Sequence, residues 1–467
     1  MAMKTPEEYI ESLRDGRELY MNGRRIDDVT QAPEFDTPIA YAAKDYDYTD
    51  QPDLRTYTDE NGERANRLYQ IPRTKEDLDT RIELMRNISI VSATVGGLFA
   101  LLNVKDKLAA AKPEYGENIE ALYTRCREND LRIAQVVTDP KGDRSRHPLK
   151  QDDPDLYLRV VERNADGIVV RGAKLHITGA ALVHELIVLP TKSMGEGEED
   201  YAVAFSIPVA TKGLKIINRN HAEPGRSVFD YPVSARHSMP EGFVVFDEVF
   251  VPWDRVFLCG EHRVAGTLAR ALGLWERVGG LIAMVDTARL FVGIAQLLAE
   301  YNGIQRASHV IDKITEIIFH AELLEMALES SIRNYKTTES GMVYPNPRGI
   351  NVGKYHGATN YHGIVRHLHD LCGGQIVTQP VEADFRNPEL APYFEKYFHT
   401  HEGVTVENRM KLYNLLRDIT ADTYGGWAFV TNVQAGGGLA AQKIITYRTY
   451  DLDAVTQLAK DMAGIVE

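Results

Sequence analysis

Cysteine is scarce: Cys126, Cys259 and Cys372 are the only three in 467 residues, and more than a hundred residues separate each from the next. No Cys-x-x-Cys pair occurs, so zinc ribbons and thioredoxin-type redox motifs are excluded, as is a disulfide-stapled scaffold. The three thiols read as small buried hydrophobes of a chain kept in a reducing compartment, and a cytoplasmic location is expected. Positive charge is in deficit. With 53 Lys+Arg against 67 Asp+Glu the net charge is −14, which argues against non-specific nucleic-acid binding yet allows a local basic pocket for an anionic cofactor.

Long apolar runs are missing as well. Met1–Asp15 is charged and has no apolar stretch of the signal-peptide kind. Asn87–Val104 carries no charge over 18 residues, but Asn87, Ser89, Ser92, Thr94, Gly96, Gly97 and Asn103 make it too polar for a lone membrane span. A buried helix is expected there, and no membrane partner. No Gly-x-Gly-x-x-Gly follows a strand, and no P-loop, His-Glu-x-x-His or Gly-x-Ser-x-Gly occurs. His356, His362, His367, His369, His399 and His401 cluster without a thiol or carboxylate at ligand spacing, so no metal site is expected.

What remains is an ordinary globular composition, 44% hydrophobic and 26% charged, in a chain long enough to bury a large core unaided. Length suggests about three units of roughly 150 residues, or one large multi-layer subunit. Residues 1–138 read as a helical domain: Thr5-Pro6-Glu7-Glu8 is a capping box ahead of an apolar stripe, and helical periodicity returns from Lys75 to Lys112 and from Glu117 to Asn129. Phe35–Arg64 has no periodicity and reads as an ordered loop or arm. Thr138–Arg144 breaks the pattern, and residues 139–265 carry short alternating runs such as Leu156–Val161 and Phe243–Val251, a β-domain. Residues 266–467 return to long apolar-periodic stretches, an antiparallel helical bundle and tail.

Four segments invite a functional reading beside a structural one. Ala435–Gly438 is a turn between helices or a close backbone approach to phosphate, the turn being favoured. Cys372-Gly373-Gly374-Gln375 lies in a helical pattern where each glycine costs roughly 1 kcal/mol relative to alanine, so tight packing or a ligand must compensate. Asp139–Arg144 is an interdomain turn or an anion-holding loop with Lys141 and Arg144 beside free backbone amides. Thr178-Gly179 ends a strand as a cap or as a hydroxyl donor to a ring nitrogen.

Ordered stretches across nearly the whole chain resemble the superfamily of 4-hydroxyphenylacetate 3-monooxygenase and 4-hydroxybutyryl-CoA dehydratase. They are Tyr9–Arg17, Glu128–Leu131 leading into Thr138–Arg144, Asp166–Lys174, Thr178-Gly179, Phe246-Asp247, Val251–Arg255, Cys372–Gln375, Val377–Pro380 and Ala383–Phe385. The resemblance implies an α+β, acyl-CoA dehydrogenase-like fold with an N-terminal helical domain, a central β-barrel and a C-terminal four-helix bundle. It implies a homotetramer holding FAD between barrel and bundle. Thr138, Asp139, Lys141, Arg144, Thr178 and Gly179 would then lie along the flavin, and Gly373, Gly374 and Gln375 would approach its nucleotide from a neighbouring subunit.

The same resemblance separates the branches. The dehydratases hold a four-iron cluster on three cysteines and a histidine, and the matching positions here, within Ser92–Phe99 and around Leu274 and Leu281, offer none. The hydroxylases place an arginine and a tyrosine on that first helix and a histidine where this chain has Gln135, and these too are absent, although Asp230-Tyr231-Pro232-Val233-Ser234-Ala235-Arg236 matches their spacing. Hydroxylation of a phenolic or other electron-rich aromatic substrate is the implied activity, through a flavin C4a-hydroperoxide formed from molecular oxygen and reduced FAD supplied by a separate reductase. Arg144, Gln135 and Thr178 are the expected catalytic residues, with Thr178 as a donor near flavin N5. Gln135, Ser92, Leu98, Thr191 and Ser193 are expected at the substrate, and Thr191–Asp200 as a lid or a plain hairpin turn. The alternative is a redox-neutral or dehydrogenating FAD enzyme acting on an acyl-CoA-type substrate without an iron–sulfur cluster.

Overall fold

The computed structural model describes residues 3–465. The first helix, α1 (Pro6–Ser12), starts with the expected capping box: Thr5 Oγ1 accepts from the Glu8 amide at 3.2 Å while Glu8 Oε2 accepts from the Thr5 amide at 2.8 Å. A short hairpin follows, β1 (Leu19–Met21) and β2 (Arg24–Ile26), then α2 (Asp36–Ala43) and α3 (Lys75–Arg86). The uncharged stretch 87–104 is helical in two pieces: a single turn at Ile90–Ala93, then α4 (Gly96–Ala111), followed by α5 (Pro113–Glu128). At the break, Thr94 Oγ1 donates to the Ile133 carbonyl at 2.6 Å and pins the start of the next strand.

That strand, β3 (Ile133–Val136), opens the main β-region, which continues through β4 (Arg159–Arg163), β5 (Gly167–Thr178), β6 (Glu185–Val188), β7 (Val203–Pro208), β8 (Leu214–Arg219), β9 (Glu241–Pro252) and β10 (Val256–Cys259). They form two sheets, a six-stranded one in the order β2-β1-β8-β9-β5-β4 and a four-stranded one in the order β10-β7-β6-β3. Inner-face residues of the two meet, as in the edge-on pair Phe205–Phe246 with ring centroids 6.1 Å apart. The β-region thus recruits chain from before residue 139: β3 pairs parallel with β6, and β1 pairs parallel with β8. Three- and four-residue strands are too short to show a period, which is why the sequence pattern omits them.

The remainder is helical. α6 (His262–Tyr301), α7 (Ser308–Arg333), α8 (Pro347–Cys372) and α9 (Val406–Thr420) pack together, and α10 (Thr423–Gln434), α11 (Leu439–Thr449) and α12 (Leu452–Ala463) follow. With 40 residues, α6 is about 60 Å long at 1.5 Å per residue. It is also the one described helix long and apolar enough to cross a membrane, but Leu272, Val278, Leu281, Val285, Phe291 and Leu298 are buried in the protein's own cores. Running from the sheets into the bundle, it joins the two halves.

Candidate active site

Gln135 sits on β3 with its side chain against the first turn of α4. The approach is tight at Gly97, where a Cβ would lie 3.1 Å from Gln135 Cβ, and ordinary at Gly96, where one would lie 3.6 Å from Gln135 Oε1. Gln135 Nε2 donates to Glu276 Oε1 on α6 at 2.9 Å, while Gln135 Oε1 and the neighbouring Trp275 Nε1 are buried without a hydrogen-bond partner. Glu276 is only partly accessible in this setting. Burial pushes its carboxyl up to about 7, against the opposing pull of Arg277, Lys354 and the Gly436 amide.

The two cations do not close on it. Arg277 Nη1 donates to Asn351 Oδ1 at 3.0 Å, and Lys354 Nζ to the Asn432 carbonyl at 2.6 Å. Burial, followed by the nearby Arg277 charge, brings Lys354 down to about 8. Sequence reasoning found Gln135 and missed Glu276. Its signal is visible in retrospect, because Glu276 is the only acid between Ala271 and Val285 in an apolar helix.

A second acid lies at the other end of α10. Thr178 Oγ1 donates to Glu241 at 2.9 and 3.0 Å to the two oxygens, and Trp427 Nε1 donates to the same carboxyl at 2.8 Å. Burial raises Glu241 above the usual carboxyl range, and these two donors moderate the rise. His221 stacks on Trp427 at 5.6 Å, its Nε2 lacks a partner, and burial with help from Arg219 pushes it down to about 4. The Thr178 hydroxyl hydrogen is therefore committed to Glu241. In this arrangement the Thr178 oxygen is left free to accept. α10 ends at Gln434, and Gly436 in the turn just beyond it lies beside Glu276.

The loop after β3 divides its residues between two jobs. Asp139 is consumed internally: its carboxylate pairs with Lys174 Nζ at 2.8 Å, accepts from the Leu158 amide at 3.1 Å and bonds the Thr191 hydroxyl. Thr191 also donates to the Val137 carbonyl at 2.6 Å. Both side chains hold the loop from inside. Thr138 bridges to Leu175 through backbone. Lys141 and Arg144, by contrast, have no side-chain hydrogen bond or ion pair among the described residues. Burial, then Arg144 and Lys192, lower Lys141 despite Asp139, so positive charge collects at this loop.

Other expected site residues lie elsewhere. Ser92 donates to Asp45 at 2.6 Å and accepts from Arg132 Nε at 2.8 Å in a buried structural network, and Leu98 is fully buried in the main core. Gly96 and Gly97 lie against Gln135. Ser193 is exposed and packs on α6 at Gly266. The proposed lid is anchored by buried Met194 and Glu198, the latter accepting from the Gly195 amide at 2.8 Å. Gly179, at φ +68, turns the chain out of β5 where a Cβ would meet Val91 at 2.9 Å.

Gly373 does not interrupt a helix but ends one, at φ +64, so the helix-interior cost does not arise. Gly373 and Gly374 have open space around them, and Gln375 Nε2 contacts Gln379 Oε1 at 3.3 Å. Ala435–Gly438 is the expected turn between two helices. No group of three or more His, Cys, Asp or Glu able to hold a metal ion occurs among the described residues.

Two family models match the chain, described as 4-hydroxyphenylacetate 3-hydroxylase N terminal over residues 5–258 and C terminal over residues 265–464. It is 33% identical to a 4-hydroxybutyryl-CoA dehydratase/vinylacetyl-CoA-Δ-isomerase of Clostridium aminobutyricum, covering 99% of this chain and 100% of the relative. It is 31% identical to a 4-hydroxyphenylacetate 3-monooxygenase oxygenase component of Thermus thermophilus, over 90% of this chain and 89% of the relative. Among solved structures, an oxygen-tolerant archaeal 4-hydroxybutyryl-CoA dehydratase from N. maritimus superposes with a TM-score of 0.92 at 28% identity, covering 100% and 96% of the two chains. The oxygenase component of 4-hydroxyphenylacetate 3-monooxygenase complexed with FAD superposes at 0.89 and 27%, covering 98% of each.

Proposed function

The chain belongs to the 4-hydroxyphenylacetate 3-hydroxylase family, and from that premise we propose that it is an FAD-dependent oxidoreductase, the oxygenase component of a two-component aromatic monooxygenase. The helical, sheet and bundle order fits the acyl-CoA dehydrogenase-like fold. What supports the flavin reading is the set of polar groups along α10, Glu241 and His221 at Trp427 and Glu276 at Gly436, which we take to line a recess. Buried Gln135 Oε1 and His221 Nε2 lack a protein partner there, and such groups are satisfied by a bound molecule or by water.

The residues present fit FAD. Lys141 and Arg144 carry uncommitted positive charge for its phosphates, and the Thr178 oxygen and Gly179 turn border the recess. The open backbone of Gly373-Gly374 is free to approach a bound molecule in an adjoining subunit. Reduced FAD, bound there and delivered by a separate reductase, supplies the electrons that activate molecular oxygen for transfer to an electron-rich ring. The chain's own part is to orient substrate through Gln135 Oε1 and to keep water from the recess. A homotetramer is part of the proposal: α7 exposes Phe319, Leu323 and Met326 on one face, and α12 exposes Leu458 and Met462, apolar surface that association would cover.

A second reading is redox-neutral or dehydrogenating chemistry on an acyl-CoA-type substrate. Gln135 stands where a phenol-binding histidine is expected and leans on a carboxyl, an arrangement suited to proton transfer. Residues Ser92–Phe99, Leu274 and Leu281 supply no thiolate or imidazole, so an iron–sulfur cluster does not fit and no step runs through one. Oxygen uptake with an added flavin reductase separates the two readings. Uptake coupled to hydroxylated product from a panel of phenols supports the monooxygenase. Uptake that no phenol couples to product, together with anaerobic conversion of an acyl-CoA ester, overturns it.

A further inference from the structure

We infer that Glu276 is the catalytic proton acceptor of this site, with Gln135 as its positioning residue, and that the substrate presents to it an uncharged O–H or activated C–H. The inference rests on the recess being the substrate site, as proposed above. Glu276 does not behave as a structural acid. An acid placed to stabilise a fold closes on a cation, since a buried charge without a counter-ion is costly. Here Arg277 and Lys354 are both close but turned to Asn351 and to the Asn432 carbonyl, and no ion pair to Glu276 forms within 4 Å. Its one side-chain partner is the neutral Gln135, which donates to a single carboxyl oxygen.

No described side chain hydrogen-bonds the second oxygen. The amide that holds Glu276 keeps its own oxygen, Gln135 Oε1, without a partner, an acceptor left for a polar ligand. A carboxyl poised near neutrality is also suited to acid–base work at physiological pH.

The proton transfer balances within the site. The substrate O–H or C–H bond breaks, the electron pair stays on oxygen or carbon, and an O–H bond forms on Glu276. The negative charge moves from the carboxylate to the substrate, still within the field of the nearby Arg277 and Lys354, so the total charge of the recess is unchanged. The same cations lower the cost of the phenolate or enolate. An ionised Glu276 disfavours a substrate whose anionic group sits beside it, which selects for a neutral reacting end.

Glu276→Gln and Gln135→Leu test this on the full-length, FAD-loaded protein. The infrared carboxyl band of the ligand-free protein should titrate near neutral pH, vanish in E276Q and shift in Q135L. A titration unchanged by E276Q overturns the inference. Two probes then report proton transfer without turnover. With 4-nitrophenol, the wild type should hold the phenolate, visible by its absorbance, and E276Q the neutral phenol. With butyryl-CoA in D2O, wild-type deuterium exchange should fall by about 100-fold or more in E276Q, the range expected for losing a general base. Ionisation or exchange undiminished in E276Q overturns the inference. If the wild type binds neither probe, the substrate reading of the preceding subsection fails, and the infrared titration alone decides the role of Glu276.

Discussion

Replacing Glu276 by glutamine should make the protein more stable, by an amount that grows with pH. In an unfolded chain this carboxyl ionises near 4.5, whereas in the fold burial pushes it to about 7. Between those values the folded protein holds a proton the unfolded chain has released, so wild-type stability falls as pH rises through that window and the full penalty applies above it. The difference of about 2.5, at roughly 1.4 kcal/mol per unit, amounts to about 3 kcal/mol. Glutamine mimics the protonated form and carries no such penalty. Urea unfolding of E276Q and wild type should therefore differ by under about 1 kcal/mol at pH 5 and by about 3 kcal/mol at pH 8.5. The comparison cancels every other titrating group common to both proteins. A difference that stays flat from pH 5 to 8.5, or a variant less stable at pH 8.5, would refute the reasoning that desolvation dominates over Arg277 and Lys354.

Asp139→Asn leaves the Lys174 ammonium buried without its counter-charge and should cost about 3–5 kcal/mol in urea unfolding, much of it recovered by adding Lys174→Met. Gly97→Ala, which drives a Cβ to 3.1 Å from Gln135, should weaken 4-nitrophenol binding several-fold, while Gly96→Ala, at 3.6 Å, should leave it within a factor of two or so by the ordinary van der Waals spacing it keeps. An aromatic disulfide reagent should modify half-buried Cys259 first in the native protein. Cys126, fully buried with its thiol pushed well up by desolvation, should react only on unfolding; early labelling of Cys126 would contradict its burial.

Much of this architecture is legible in the residues. The capping box at Thr5, the change of period at Thr138 and the long apolar stripes after Arg263 carry local physics, and the structure follows them. What the sequence conceals depends on distant partners. Nothing in Asp139 itself says that Lys174, Leu158 and Thr191 will consume its carboxylate, and Ser92 gives no local sign that Asp45 and Arg132 claim its hydroxyl. Glu276 is hidden for the opposite reason: one acid among 67 acidic residues carries no distinction until the fold removes water from around it. Gly373 shows how a propensity argument turns on position, since a glycine costly inside a helix is well suited just past its end.

The pairing of β1 with β8 has a consequence for synthesis. Leu19 emerges from the ribosome early, yet its neighbour Ile216 follows 197 residues later. At 5–20 residues per second the first hairpin waits roughly 10–40 s before its place in the sheet exists. By the end of that interval almost half the chain is outside, with one edge of β1 still unpaired at its leading end. The nascent protein must pass through this stage before either sheet can be completed, which makes the amino-terminal hairpin the natural point of engagement for chaperones and proteases alike.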